Sequence, residues 1–205
     1  MDVNDLEKVI QRAVEILSTG GIVVYPTETV YGIGCDPLNA DSCRRVQSLK
    51  NRPEAKAMLL LACSREQVER MTGPLGDIPG KLAQRFWPGP LTLIVEPLRP
   101  FPDHLIGFTG GVAFRVTSHR VAGALAGTFG RPVISTSANM AGEPPVRKYR
   151  DARRLFGNSV DMVIPCGDEL TGVPSTVVDC TAGRLTMVRE GGITMAQLEE
   201  VAYEA

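Results

Sequence analysis

Short apolar, β-branched runs alternate with amphipathic stretches along this 205-residue chain, and no repeat or linker interrupts them. Leu6, Val9, Ile10, Ala13, Val14 and Leu17 recur at helical spacing, with Asn4 and Glu7 placed as a capping box and Gly20-Gly21 as the stop. Residues 22–25 then read as a strand and 40–50 as a helix ending before Pro53. Residues 57–62 form a strand whose lack of alternation implies burial of both faces. Ser64 and Gln67 open a third helix, 81–86 form a short one, and strands follow at 91–96 and 112–117. A helix over about 120–128 leads into a strand at 132–135, and 150–156 is helical. Strands near 162–165, 176–179 and 185–189 precede a last helix opened by Thr194 and Gln197. The alternation predicts a single α/β domain over 1–205, with its core at about 6–195 and helices covering a mixed sheet.

Charge and cysteine usage narrow the function classes. The chain carries 22 Lys+Arg against 23 Asp+Glu, which argues against a protein that coats nucleic acid indiscriminately. The apolar run 57–63 is far short of the roughly 18 residues that span a bilayer. Asp2, Asp5 and Glu7 leave no basic leader segment, so no secretory signal is expected. Cysteines 35, 43, 63, 166 and 180 form no Cys-x-x-Cys pair, and neither His104 nor His119 has a Cys neighbour at zinc-site spacing. Reduced thiols in a cytoplasmic, non-membrane protein are the expectation. The 21 Gly and 15 Pro, bunched at 73–80, 88–90, 107–111, 142–145 and 167–174, predict shaped loops on a regular scaffold, where sites tend to lie.

Standard nucleotide loops fail. Around Gly80-Lys81, Leu75 stands where a Walker loop needs its first Gly and Leu82 where it needs a hydroxyl. Gly32-x-Gly34 meets Pro37 where a dinucleotide fingerprint needs its last Gly. Four other segments stand out. Residues 26–34 read as a polar loop after a buried strand, whose hydroxyls can bind a ligand or cap a turn. Lys50, Arg52 and Lys56 flank Pro53; they either complement a helix end or line a cleft for polyphosphate. Ser135, Thr136, Ser137 and Asn139, followed by Gly142 to Pro145, offer donors to anionic oxygens or form an ordinary Ser/Asn turn. Arg115 in mid-strand, Ser175-Thr176 at a strand start and Arg189 at a strand end complete the set. His119 could serve Ser135 or Ser137 as a base, but no acid is placed beside it and a hydrolase triad is disfavoured. Residues 86–92 read as a rigid, packed turn.

In this order the residues resemble the YrdC/TsaC family of threonylcarbamoyl-AMP synthases in a short, single-domain form. The resemblance rests on 26–34, Lys50-x-Arg52-Pro53, 86–92, 112–115, Ser137-Ala138-Asn139, 175–179 and Arg189-x-Gly191. It implies a three-layer α/β fold with a twisted mixed sheet and a positively lined cavity. It also implies synthesis of threonylcarbamoyl-adenylate and pyrophosphate from L-threonine, bicarbonate and ATP, with Mg²⁺. Partner proteins would then transfer the group to tRNA adenosine next to the anticodon, giving t6A. By the resemblance, Thr29, Arg115, Ser135 and Ser175 hold threonine, while Lys50, Arg52, Lys56, Ser137, Asn139, Pro145 and Arg189 hold ATP. Lys50 and Arg52 would carry the catalysis. Leu61 stands where many relatives have His, so one threonine contact is expected to be missing or replaced. Two other readings compete: a non-catalytic module that binds RNA weakly during tRNA or rRNA maturation, and the carbamoyl-adenylate site of hydrogenase-maturation proteins. The lack of accompanying domains disfavours the second.

Overall fold

The computed structural model describes residues 3–50, 58–140 and 142–203. Helix α1 (Val3–Ser18) buries Leu6, Ile10, Ala13 and Leu17. It begins ahead of Asn4, which therefore lies in the first turn and not at the cap. Strands β1 (Val23–Pro26) and β2 (Tyr31–Gly34) form an antiparallel hairpin, with Val23 opposite Gly34 and Pro26 opposite Tyr31. The loop expected over 26–34 is thus half strand. Glycine hid it: a β-carbon on Gly34 would lie 2.4 Å from the Ile134 carbonyl, so close packing requires the residue that weakens a strand signal.

Helix α2 (Ala40–Leu49), strand β3 (Leu59–Ala62) and helix α3 (Arg65–Thr72) come next. Ser64 caps α3, its Oγ accepting from the Gln67 N–H at 3.2 Å. Helix α4 (Asp77–Phe86) starts earlier than expected and carries Pro79 and Gly80 in its first turn, where a missing N–H costs no intrahelical bond. Strands β4 (Leu91–Val95) and β5 (Val112–Val116) flank a short 3₁₀ turn, Asp103–Leu105. Helix α5 (Arg120–Phe129) leads to β6 (Val133–Ser137), which runs past its expected end and so holds Thr136 and Ser137 on the strand itself. Helix α6 (Tyr149–Phe156) and strands β7 (Met162–Val163), β8 (Thr176–Asp179) and β9 (Thr186–Arg189) follow. Helix α7 (Met195–Tyr203) is opened by a reciprocal box: Thr194 N–H donates to Gln197 Oε1 at 2.9 Å, and Gln197 N–H to Thr194 Oγ1 at 3.4 Å.

The strands form one mixed sheet in the order β7-β1-β2-β6-β3-β5-β4-β8-β9. The β1/β7, β3/β5 and β4/β8 pairs are parallel and the others antiparallel. Strand β3 shows why its sequence does not alternate. Leu60 packs into a large core with Leu93, Phe114 and Ile134 on one face. Leu61 packs into a smaller core with Leu6, Ile10 and Leu125 on the other. The large core also takes Val46, Leu82, Phe156 and Leu198 from helices α2, α4, α6 and α7. Helices α1 and α5 cover the opposite face, which gives three layers. The strand residues these two helices bury, Val23, Tyr25, Leu61 and Val133, belong to β1, β3 and β6. The rest of this face, from the ends of β2, β3 and β6 across β5, β4, β8 and β9, floors a cavity.

Candidate functional site

That cavity has a volume of about 820 Å³. Strand register sets its floor, because partners across a ladder share a face. Leu59 lies opposite Ser135, Ala113 opposite Ile94, and Val177 opposite Thr92, and all six face the cavity. The walls come from the β1–β2 turn, the loop at 107–111, Pro145, Pro174 and Arg189.

Every predicted site residue within the described part lines this one space. Thr29, Arg115, Ser135 and Ser175, expected at threonine, are there. So are Lys50, Ser137, Asn139, Pro145 and Arg189, expected at ATP. Arg52 and Lys56 lie outside the described residues.

Arg115 is 4% exposed at mid-strand, and a cation there needs partners. Its Nε lies 3.3 Å from Glu28 Oε1, and its Nη1 donates to Thr29 Oγ1 at a long 3.4 Å. The turn bearing Thr29 is tied by Thr27, whose hydroxyl donates to the Val30 carbonyl at 2.7 Å and lies 2.9 Å from Thr29 Oγ1. Gly172 N–H donates to the Thr29 carbonyl at 2.8 Å and buttresses the turn from outside.

Arg189 approaches from β9. It grips Ser175 with Nε and Nη2 on the carbonyl at 3.1 and 2.9 Å, and with Nη2 on Oγ at 3.0 Å. Ser175 Oγ in turn lies 2.9 Å from Thr92 Oγ1. Burial, and then the positive charge of Arg115, pull the Arg189 guanidinium below its ordinary pKa. Two guanidiniums that feel each other across one cavity favour an anion between them.

Lys50 is the C-cap of α2. Its ammonium crosses to β6, where it donates to Thr136 Oγ1 at 3.2 Å, Ser137 Oγ at 3.1 Å, Asn139 Oδ1 at 2.9 Å and the Ser137 carbonyl. Ser137 Oγ also donates to Asn139 Oδ1 at 2.7 Å. The helix-end reading of Lys50 is therefore incomplete: the side chain leaves its helix to organise the hydroxyl loop.

His119 caps α5, with Nδ1 accepting from the Val121 N–H at 3.2 Å, and burial pushes its pKa down. That lone pair is engaged in the cap, and His119 is not among the cavity-lining residues. Leu61, paired with Arg115 in register, belongs to the smaller apolar core. Thr136, singled out with its neighbouring hydroxyls, lines the cavity too; sequence reasoning gave no role to Thr92 and Phe108 in the lining or to Glu28 behind it. The turn at 86–92 carries the signal for Thr92: Trp87 Nε1–H donates to the Leu91 carbonyl at 2.7 Å and Gly89 N–H to the Val116 carbonyl at 2.9 Å, which fixes the start of β4.

The Sua5/YciO/YrdC family model, described as telomere recombination, matches residues 15–191. The threonylcarbamoyl-AMP synthase of Coxiella burnetii (strain RSA 493 / Nine Mile phase I) is 38% identical over 186 residues, covering 89% of this chain and 98% of that protein. The crystal structure of P. abyssi Sua5 complexed with L-threonine superposes with a TM-score of 0.88 at 32% identity, over 95% of this chain. The match spans 57% of the Sua5 chain. E. coli YciO superposes with a TM-score of 0.85 at 26% identity, over 93% of each chain.

Proposed function

This chain belongs to the Sua5/YciO/YrdC family, and on that premise we propose that its cavity brings L-threonine, bicarbonate and ATP together and makes threonylcarbamoyl-adenylate. The observation that carries the reading is the convergence of Arg115 and Arg189, with Lys50, on one space of about 820 Å³ lined by hydroxyls. That volume is in the range of pockets enclosing small-molecule ligands, and every reactant is anionic or carries a carboxylate. Arg115 takes the threonine carboxylate, with Thr29, Ser135 and Ser175 orienting the rest. Lys50, Ser137, Asn139 and Arg189 take the phosphates and ribose, with Pro145 at the rim; Arg52 and Lys56 add charge from the segment that follows Lys50. The threonine nitrogen bonds to the bicarbonate carbon with loss of water. The carbamate oxygen then attacks the α-phosphorus, whose bond to the β-phosphate oxygen breaks, and pyrophosphate leaves. The chain's own contribution is to hold like-charged reactants in contact and to offset charge as it shifts to the leaving group.

Mg²⁺ enters this reading with ATP. Among the described residues no group of three or more His, Cys, Asp or Glu side chains could hold a metal, and the polar lining consists of hydroxyls, an amide and cations. Such a lining would hold the ion only together with ligands supplied by ATP and water, the Thr136 and Ser137 hydroxyls being the protein groups that could join them. When bound it neutralises triphosphate charge.

Phe108 gives the base a place. It lines the cavity yet is 88% exposed. The loop around it is closed by Gly107 N–H donating to the Gly111 carbonyl at 2.8 Å, with Gly110 at φ +78. Val173 and Val188 are also exposed, and Val188 lines the same cavity. A ring on a braced loop at the mouth of a phosphate-binding cavity stacks on adenine. Base stacking is worth about 1–3 kcal/mol, so Phe108→Ala raises the KM for ATP roughly 5- to 100-fold and leaves the KM for threonine within twofold in steady-state assays.

The product is consumed by proteins that transfer the threonylcarbamoyl group to tRNA. Two of the cavity's cations are poor candidates for an RNA-docking face: Lys50 is 7% and Arg115 4% exposed, and both are bonded inward, whereas Arg189 is exposed at the end of β9. No helix among the described residues is long and apolar enough to cross a membrane. Pyrophosphate release tests the function. We expect release that requires L-threonine and bicarbonate; release that continues unchanged without threonine defeats the reading.

A further inference from the structure

Glu28 sits between two cavity-lining threonines, Thr27 and Thr29, but is not itself part of the lining. The residue is nonetheless held from several directions. Oε2 accepts from the Thr117 hydroxyl, which is itself oriented by the His119 N–H at 3.1 Å. The Glu28 backbone carbonyl accepts from Thr171 Oγ1 at 3.0 Å. The remaining oxygen, Oε1, lies 3.3 Å from Arg115 Nε. Despite that distance the two atoms are not aligned for a hydrogen bond. Among the described residues, Glu28 Oε1 and Arg115 Nε are the buried side-chain polar atoms without a hydrogen-bond partner. Native proteins rarely leave such atoms unpaired, and a site where two of opposite charge face each other calls for an explanation.

The other edge of the guanidinium supplies one. Among the described residues its hydrogen-bond partner there is Thr29 Oγ1, at the long end of bonding distance, 3.4 Å from Nη1. The cation is therefore anchored by charge while its fork remains available to the cavity. A carboxylate engaging that fork pulls the guanidinium by a fraction of an ångström, and rotation of that size is what a misaligned contact needs to close.

We propose that Glu28 is a positioning residue that acts through Arg115: it fixes the Nε edge so that the Nη edge meets the carboxylate of the amino-acid substrate, and the Nε–H to Oε1 bond closes when that carboxylate binds. The inference rests on the reading that L-threonine binds at Arg115. Glu28 contacts neither substrate, so its effect is confined to the amino-acid side of the reaction.

Glu28→Gln keeps the shape and the acceptor for Thr117 but removes the charge. Calorimetry with L-threonine should show its Kd raised about tenfold or more, while kcat and the KM for ATP stay within twofold of wild type. In an Arg115→Lys background, where the fork is gone, adding Glu28→Gln should change the threonine Kd by less than twofold. Thr117→Val, which frees the carboxylate without removing it, should shift the threonine Kd in the same selective direction by a few fold, and it serves if Glu28→Gln folds poorly. An unchanged threonine Kd, parallel rises in both KM values, or additivity with Arg115→Lys each overturns the inference. Wild-type protein that binds no L-threonine defeats the functional reading and this inference together; wild-type binding indifferent to Glu28→Gln defeats the inference alone.

Discussion

Arg115→Ala should abolish threonine-dependent pyrophosphate release and lower the melting temperature at the same time, because one side chain serves both ends. On the cavity side it supplies, in the proposed reaction, the fork for a carboxylate. Hydrogen bonds to charged groups contribute about 1.5–3 kcal/mol each, so losing two lowers kcat/KM for threonine by about 10²- to 10⁴-fold. On the protein side its removal strands the Glu28 carboxylate, whose side chain is 14% exposed, beside an apolar gap in mid-sheet. Breaking a buried pair from one side costs about 3–5 kcal/mol, and for a chain of this size each kcal/mol shifts the melting temperature by about 2–4 °C. The melt should therefore fall by roughly 6–20 °C. Arg115→Lys separates the two effects. It keeps a positive charge near Glu28, so most of the stability returns, but a point charge cannot reproduce a planar fork and the threonine KM stays high. A thermal melt with threonine titrations on both variants checks this. Arg115→Ala protein with threonine kinetics within tenfold of wild type would show that the carboxylate binds elsewhere.

How much of this was legible in the sequence depends on whether the signal was local. Ser64 and Gln67 announced a helix start because a cap is a contact between residues three apart, and Ser64 accepts from Gln67 as expected. The strand at β3 was readable from its unbroken apolar run, which only two-sided burial explains. The β1–β2 hairpin was not, because Gly32 and Gly34 carry no side chain to alternate; their role is defined by what they approach, Ser135 Oγ and the Ile134 carbonyl. For the site, residue types were legible and partnerships were not. Arg115 drew notice as a cation within an apolar strand, yet Glu28, its partner from 87 positions earlier in the chain, looked like one polar residue among several. The Gly/Pro clusters divide in the same way. Those at 107–111, 142–145 and 167–174 contribute Phe108, Pro145 and Pro174 to the cavity, whereas the cluster at 73–80 makes the α3–α4 connection and the first turn of α4. Balanced total charge did conceal inward-facing cations, and Lys50, Arg115 and Arg189 do meet in one cavity.

Lys50 is where the structure changes an expectation most. Read from sequence, Lys50 either complements the end of its helix or lines a cleft for polyphosphate. The ammonium instead ties the end of α2 to Thr136, Ser137 and Asn139. Asn139 is then pinned on its other side, its Nδ2–H donating to the Glu143 carbonyl at 2.8 Å and to the Met140 carbonyl at 2.9 Å. Lys50 therefore holds both the strand end and the loop whose hydroxyls we propose meet the phosphates. Lys50→Ala deletes a buried cation together with its bonds, leaving the Ser137 and Asn139 acceptors to find water, at a cost of about 1–3 kcal/mol. In the proposed reaction it also removes positive charge from beside the triphosphate, where preorganised charge would act on the transition state. We expect kcat/KM for ATP to fall by about 10²- to 10³-fold, the melt to drop by several degrees, and the Kd for L-threonine measured without ATP to change little. Lys50→Met restores the aliphatic volume and with it part of the stability, but none of the nucleotide kinetics, because a thioether neither donates nor carries charge. That split between a recovered melt and unrecovered ATP kinetics separates the two roles. If Lys50→Met turned over ATP like wild type, the ammonium would be only a brace for the loop, and the phosphate charge would have to come from Arg189 and from Arg52 and Lys56.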